Sequence, residues 1–334
     1  MSGYYLLQNG EFAYNKSTSG DSPWGAVKRL TKYENGCVST LYICFGLDEG
    51  DSDFLVTYYE TDRWHKEVRM IAAEGARNHG LLNIAPSDFF ETELTMPAEI
   101  EEQAQIGAFF QQLDSLITLH QRKLDHLKEM KKGLLQKMFP KNGESIPELR
   151  FPGFADPWEQ RKLGEIAEIV GGGTPNTSVE EYWDGDIDWY TPAELGDRRY
   201  VDSSLRKITQ AGYDNSSARM LPANRTILFT SRAGIGNTAI LCSSACTNQG
   251  FQSLVVGDSA DVDFIYSLSD DIKRKAEIKA SGSTFLEISG KRLTEIEVLA
   301  PALVEQVQIG SFFRQLDSLI ALHQREGIDQ LGQT

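Results

Sequence analysis

The sequence has few features of a secreted or membrane protein. Its 334 residues contain no run of about 18 apolar residues, so no bilayer-spanning helix is predicted. The N-terminal segment lacks a basic region and a long apolar core, and does not resemble a secretory signal. The four cysteines form no Cys-x-x-Cys pair and no zinc-like spacing with histidine. These absences predict a cytoplasmic protein with reduced thiols and no membrane partner.

Motifs of bond-making chemistry are also missing. There is no Walker A sequence, no Asn-Pro-Pro-Tyr-like or Asp-Pro-Pro-Tyr-like loop, and no Phe-x-Gly-x-Gly strand. Glu277-Ile278-Lys279 has the Glu-x-Lys form of some nucleases, but it lacks an acidic partner and is interpreted as a charge pair on a helix. The five histidines are scattered along the chain. We therefore predict a chain without a catalytic residue, a metal site or a cofactor of its own.

Positive charge is scarce relative to negative charge. The net charge of −15 argues against non-specific coating of nucleic acid, because such binding depends on neutralising phosphates. It leaves room for specific binding through a local basic face, since the field depends on how charges are distributed. An acidic protein that binds DNA would be expected to need a more basic partner subunit to clamp the duplex.

The most informative feature that is present is an internal repeat. The segment QIGAFFQQLDSLITLHQR at 105–122 recurs as QIGSFFRQLDSLIALHQR at 308–325, with 15 of 18 positions identical. Similarity continues upstream, where Asp53-Phe54-Leu55 matches Asp263-Phe264-Ile265. About sixty residues of the second copy, 158–217, have no counterpart in the first. The duplication predicts a protein that performs one task twice, at two places on one partner.

The repeated segments are predicted to be helical. Apolar residues at mixed three- and four-residue steps, with no proline between Pro97 and Pro140, predict one long helix over 99–138. At 1.5 Å per residue it would be about 60 Å long. Such a helix cannot bury its apolar stripe alone, and we expect an antiparallel partner at 302–325. Gly327 and Gly332 predict that this second helix ends early.

The regions between the helices favour a mixed fold. Short β-rich runs at Thr226–Phe229, Thr238–Leu241 and Gln252–Val256 alternate with Gly, Asn and Ser turns. In the first copy, Tyr4–Leu7, Val38–Phe45 and Phe54–Tyr59 are the strand candidates. The fold class predicted is α+β. The predicted divisions are a partial first domain at 1–98, a long helix at 99–140, a linker at 141–157, a second domain at 158–301, a shortened second helix at 302–326 and a tail at 327–334.

Several segments resemble one known family. WEQRKLGEIAEIVGGGTPNTSVEEYWDGDIDWYTPAEL at 158–195 is similar to the opening of a target-recognition domain from specificity subunits of type I restriction–modification systems. ILFTSRAGIGNTAIL at 227–241 and CTNQGFQSLVV at 246–256 continue the pattern. The resemblance covers nearly the whole chain and implies two target-recognition domains of mixed α/β type, separated by long antiparallel spacer helices.

The resemblance also implies partners. Each recognition domain would read one half of a bipartite site in double-stranded DNA. The helices would dock two methyltransferase subunits, which bring S-adenosylmethionine, and nuclease–translocase subunits would bring ATP and Mg²⁺. Because the first domain and the second helix are incomplete relative to this pattern, a second hypothesis stays open: a decoy that binds methyltransferase subunits, or a reader of one half-site.

Candidate residues follow from side-chain chemistry. Arginine suits bidentate guanine contact and amides suit adenine, although for each loop a purely structural turn is an alternative. The Gly171–Pro175 run could expose N–H groups to phosphate or form a turn. Arg198, Arg199, Arg206 and Lys207 are further phosphate-contact candidates. The candidate DNA-binding residues are Thr174, Arg219, Ser231, Arg232, Asn237, Asn248, Gln249, Tyr14, Asn15 and Lys16. The candidate partner-binding residues on the helices are Phe109, Leu113, Leu116, His120, Phe312, Leu316, Leu319 and His323.

Overall fold

The computed structural model describes residues 3–72, 80–141, 143–196, 198–232, 234–280 and 286–331. The chain divides into two compact units, Met1–His120 and Gln121–Thr334. The boundary lies within a helix of 39 residues, so each unit contains part of that helix. Helices and antiparallel strands occur in both units, which confirms the predicted α+β class.

The first unit places short strands before its helices. Its elements are β1 (Tyr4–Gln8), β2 (Phe12–Asn15), β3 (Ala26–Arg29), β4 (Asn35–Ser39), β5 (Ile43–Phe45), α1 (Ser52–Glu60), α2 (His65–Ile71), α3 (Pro86–Phe90) and the first part of α4 (Ile100–Met138). Strand β2 lies between β3 and β5, and β1 pairs with β4. Aromatic side chains fill the core, with Phe12, Tyr14 and Trp64 almost fully buried.

Two of the three strand predictions in this unit needed correction. Residues 54–59 form helix α1 because the side chain of Asp51 accepts hydrogen bonds from the N–H groups of Asp53 and Phe54, which caps a helix start. The predicted strand 38–45 corresponds to the end of β4 and the whole of β5, because a turn after Ser39 separates these two strands. The strand predicted at Tyr4–Leu7 is confirmed as β1.

The second unit is larger and contains a five-stranded sheet of order β7-β14-β11-β12-β9. Its elements after α4 are β6 (Glu159–Lys162), α5 (Leu163–Ile166), β7 (Ala167–Gly171), β8 (Trp183–Tyr190), β9 (Tyr200–Val201), β10 (Lys207–Ile208), α6 (Gln210–Asp214), β11 (Thr226–Phe229), β12 (Thr238–Leu241), β13 (Cys246–Thr247), β14 (Gln252–Val256), α7 (Val262–Ser267), α8 (Ser269–Lys279), α9 (Gly290–Thr294), β15 (Glu297–Ala300) and α10 (Leu303–Leu331). The three strands predicted here are β11, β12 and β14, with the predicted bounds.

The sequence repeat is also a structural repeat. In each unit a central antiparallel strand is flanked by two others, in the order β3-β2-β5 and β12-β11-β14. A capped helix follows each set, α1 after Asp51 and α7 after Asp261. The first unit therefore contains the central part of the second unit's fold, as the sequence alignment of the two copies predicts.

The long helices are joined to the rest of the second unit. Lys131 of α4 pairs with Asp317 of α10 at 2.6 Å, and the rings of Phe139 and Phe313 lie 6.0 Å apart. Because the order of contacts is reversed along the two helices, this half of α4 and α10 run antiparallel. Helix α10 continues to Leu331, beyond the predicted end at 326, since a single glycine at 327 costs only about 1 kcal/mol in a helix.

The predicted linker 141–157 is held firmly against α10. Arg150 Nε and Nη2 donate to Glu305 Oε1 and Oε2, each at 2.7 Å, and the Glu305 side chain is 1% exposed. The ring of Phe151 packs on Phe312. Arg150 and Phe151 therefore attach this segment to α10 within the second unit.

Candidate nucleic-acid interface

Three loops of the second unit meet at one end of the sheet. The loop after β7 meets the loop after β13 where Thr174 Oγ1 donates to Gln249 Oε1. The loop after β11 joins them, because the N–H of Ser231 donates to the Gly250 carbonyl at 2.8 Å. The structure thus brings together the candidate DNA-binding residues from 174, 232, 237, 248 and 249.

The glycine run of the β7 loop has a packing role. A Cβ at Gly172 would lie 2.1 Å from the Asn248 carbonyl oxygen, so only glycine fits there. The N–H of Gly173 donates to the Thr247 carbonyl at 2.8 Å, and its carbonyl accepts from Trp189 Nε1 at 2.8 Å. These bonds favour the structural alternative over an exposed phosphate cradle.

The loop at 230–237 presents polar side chains from a tight turn. Thr230 Oγ1 donates to the Gly234 carbonyl and accepts from the N–H of Asn237, which closes the loop. Arg232 and Asn237 are partly exposed on it. Ser231 is 0% exposed, so its side chain cannot reach a DNA base, and its prediction as a contact residue is corrected to a core role.

The amide loop at 248–250 divides its groups between structure and surface. Asn248 Oδ1 accepts from the Gly250 N–H at 2.8 Å, which uses one of its amide positions inside the loop. Gln249 is exposed beside Thr174, with side-chain amide chemistry suited to adenine. We therefore regard Gln249 as the better-placed amide for base contact.

Of the arginines proposed as phosphate contacts, two have contrasting environments. Arg219 lies on the surface, 3.1 Å from Glu168, and both side chains are about 60% exposed. A surface pair of this kind contributes at most about 1 kcal/mol, so a phosphate could replace Glu168 easily. Arg199 is 7% exposed and paired with Asp263 and Asp317, so its predicted DNA contact is corrected to an internal ion network.

A further loop, 202–206, was not identified as a unit from the sequence. Glu194 Oε2 accepts from the Leu205 N–H at 2.6 Å, and Asp188 Oδ1 accepts from Ser204. This rigid loop leaves Leu205 89% exposed. The spacing of Thr191 and Glu194 is typical of a capping box, so the sequence could have predicted the turn that positions Glu194. Nothing in the sequence indicated that Leu205 would be exposed.

Asp188 of β8, which accepts hydrogen bonds from this loop, has a shifted pKa. Burial raises the pKa of the Asp188 carboxyl, but hydrogen bonds from Ser204 and Lys207 outweigh it, so its pKa lies below the usual range. Arg206 stacks over the ring of Trp183 at 3.9 Å, which holds its guanidinium at the surface. Lys207 lies 3.2 Å from Asp188.

The candidates in the first unit are largely internal. Tyr14 is 0% exposed, stacks on Phe89 and donates its hydroxyl to the Trp24 carbonyl at 2.7 Å. Its predicted DNA contact is therefore corrected to a core role. Asn15 Oδ1 accepts from the Ser17 N–H, and Lys16 Nζ donates to the Ile84 carbonyl at 3.2 Å, so both side chains have partners inside the unit.

The predicted partner-binding residues of the helices differ in exposure. Phe109 is 60% exposed, Leu116 47% and Leu319 48%, whereas Leu316 is buried in the second core and is corrected to a core residue. Phe312 is partly covered by Phe151. The remaining members, Leu113, His120 and His323, are partly exposed. An apolar face thus remains on each helix.

Among the described residues, no cluster of three or more His, Cys, Asp or Glu side chains is arranged to hold a metal ion. No helix in those residues is both long and apolar enough to cross a membrane.

Curated proteins with similar sequences are specificity subunits. The type I restriction enzyme MjaIX specificity subunit of Methanocaldococcus jannaschii is 38% identical over 167 residues, which cover 49% of this chain and 38% of that protein. The EcoR124I/EcoR124II specificity subunit of Escherichia coli is 32% identical over 170 residues, covering 48% of this chain and 41% of that protein. The matched regions therefore span about two fifths of these relatives.

Solved structures share the fold at low identity. The type I restriction–modification S subunit from M. genitalium aligns with a TM-score of 0.61 and 17% identity, covering 97% of this chain and 80% of that one. A chain from a structure on complex assembly and conformational transition of the type I R-M system aligns with a TM-score of 0.57 and 18% identity, covering 100% of this chain and 80% of that one. The model of the type I restriction modification DNA specificity domain matches residues 155–333. That match spans more than half of the sequence, and the chain therefore belongs to the type I restriction modification DNA specificity domain family.

Proposed function

We propose that this chain is the DNA-recognition subunit of a type I restriction–modification complex and reads a bipartite site. The observation that carries the proposal is the repeated joint between domain and helix. Gln103 Oε1 accepts from the Asp51 N–H at 3.0 Å, and Gln306 Oε1 accepts from the Asp261 N–H at 3.1 Å. Two units with the same attachment to similar helices are suited to presenting one reading surface each.

The partners follow from this proposal. Methyltransferase subunits dock on the helices, where Phe109 and Leu116 on α4 and Leu319 on α10 are exposed apolar side chains. Those subunits supply S-adenosylmethionine and the methyl transfer, and nuclease–translocase subunits supply ATP and Mg²⁺. This chain contributes base recognition and positioning, without a catalytic residue of its own.

Sequencing the methylated positions in a host that expresses this chain with its methyltransferase tests the proposal. A two-part adenine-methylated motif with a fixed gap is expected. A matched strain carries the same methyltransferase without this chain and should show no such motif. If the two methylomes are identical, the chain does not direct methylation.

A reader of one half-site, or a decoy that only binds methyltransferase subunits, is the second candidate. It is favoured by the first unit, where Tyr14 is buried and Asn15 and Lys16 form internal hydrogen bonds. A half-site reader would produce a motif that repeats one half-site, and a decoy would bind the methyltransferase in pull-down while producing no motif.

A further inference from the structure

A cleft of about 1560 Å³ lies in the second unit, between the C-terminal half of α4, helix α8 and strands β6 and β15. Among the described residues, eight lysine and arginine side chains line it, against four carboxylates, which gives this lining a net charge of +4. The whole chain carries −15. The cleft is therefore a local concentration of positive charge on an acidic protein, built from segments far apart in the sequence.

Part of this charge is available to a ligand. Lys131 is paired with Asp317 and Lys275 with Asp271, both at 2.6 Å. Within the described parts of the chain, other lysines of the cleft are exposed and form no ion pair; these are Lys128, Lys132, Lys162 and Lys279. They come from α4, β6 and α8, so they surround the opening from three sides.

The floor of the cleft contains buried apolar side chains. Trp158 is 3% exposed, Ile296 0% and Val298 1%, so these apolar groups are already covered. Leu135, Phe139 and Leu299 also line the cleft and are partly exposed, whereas the buried indole of Trp158 could not stack on an unpaired base. The four unpaired ammonium groups on three sides of the opening favour an extended anion that is bound by charge.

Resting on the proposed function, we propose that the cleft binds the phosphate backbone of duplex DNA beside the half-site read by the second unit. Duplex DNA carries about one negative charge per 1.7 Å of its axis, and lysine is a point charge suited to contacts that do not depend on sequence. Phosphate contacts of this kind position a protein while the base-reading loops provide specificity. The cleft would thereby give an acidic chain its own electrostatic hold on DNA.

The test compares two triple variants with equal charge change. Lys128→Gln, Lys162→Gln and Lys279→Gln remove one cation from each side of the cleft. Lys32→Gln, Lys66→Gln and Lys123→Gln remove three exposed cations that do not line it. The full chain, assembled with its methyltransferase subunits, is titrated with a random-sequence duplex over a range of salt concentrations. Circular dichroism and thermal melting verify that both variants fold.

We expect the cleft variant to make the negative slope of log K against log salt shallower by about 0.9 for each lysine that contacts a phosphate. The control variant should leave this slope unchanged. A wild-type complex that binds DNA, with equal slopes in both variants, would overturn the cleft while leaving the proposed function intact. Loss of methyltransferase assembly in the cleft variant, with an unchanged slope, would also overturn it and indicate an acidic protein partner. A wild-type complex that binds no duplex would reject both proposals.

Discussion

Gly310 of α10 lies directly against the side chain of Asp261, the residue that caps α7. A Cβ at 310 would lie 2.2 Å from Asp261 Oδ1 and 2.8 Å from the Phe264 nitrogen. Gly107 has the same relationship to Asp51 and Phe54 in the first unit, with distances of 2.9 and 2.6 Å. The repeated glycine therefore allows each helix to approach the capped start of another helix.

Gly310→Ala is expected to destabilise the chain by about 1–3 kcal/mol, because the added methyl group forces α10 away from α7. Gly133→Ala is the matched control, since Gly133 is also inside a long helix and nothing lies within 4 Å of its Cβ position. It should be neutral or stabilise by up to about 1 kcal/mol. Urea unfolding measures both, and equal effects would contradict the close packing.

The buried amide of Gln306 is the second element of this joint. Its Oε1 accepts from the Asp261 N–H, and its Nε2 donates to the Pro301 carbonyl at 2.8 Å. Gln306→Leu leaves these backbone groups unpaired in the interior and should cost about 1–3 kcal/mol. Gln315→Leu, an exposed position on the same helix, should change the stability by less than about 0.5 kcal/mol. The prediction fails if the two variants unfold at the same urea concentration.

The joint shows what the sequence could and could not predict. The duplication predicted that Asp53 and Asp263 occupy equivalent places, and both lie in the first turn of a capped helix. It did not reveal that Asp51 and Asp261 are the caps, because a cap is identified by the backbone N–H groups it meets. The burial of individual side chains could not be predicted either. A tyrosine such as Tyr14 can contact DNA or pack in a core, and the sequence does not distinguish the two.

Arg199 connects the sheet to α7 and α10 within the second unit. Its guanidinium contacts Asp263 and Asp317 and lies 4.5 Å from the centre of the Tyr266 ring. Arg199→Met removes the buried cation shared by Asp263 and Asp317, which keep Arg314 and Lys131 as cationic partners, and is expected to cost about 1–3 kcal/mol. Arg274→Met breaks an exposed pair with Asp271 and should cost no more than about 1 kcal/mol. Chemical unfolding of both variants provides the comparison, and equal losses would contradict a structural role for the network.

Acid should weaken the 202–206 loop through Asp188. The pKa of this carboxyl is lower in the folded chain than its ordinary value near 3.9, so its contribution to stability is complete above that value and is lost as the pH falls through the folded-state pKa. Asp188→Asn should therefore flatten the acid side of the stability curve, measured by urea unfolding from neutral pH to about pH 3. Asp186→Asn, at an exposed position of the same strand, controls for the loss of one charge. Parallel curves for the wild type and the Asp188 variant would refute this account.

Arg232 and Arg219 should affect DNA binding in different ways. Arg232 lies on the 230–237 loop, beside the loop that contains Gly250, and we propose that it contacts a base edge. Arg219 forms an exposed ion pair with Glu168, which a DNA phosphate would replace. Arg232→Ala should lower discrimination at one base pair by about 1–3 kcal/mol. Arg219→Ala should weaken binding to all sequences alike and reduce the salt slope by about 1. Selection from a randomised duplex library, followed by titrations at several salt concentrations, separates these effects. If Arg232→Ala lowers affinity uniformly and keeps the sequence preference, Arg232 contacts phosphate, and recognition must come from other side chains of the loop cluster, with Gln249 the first to test.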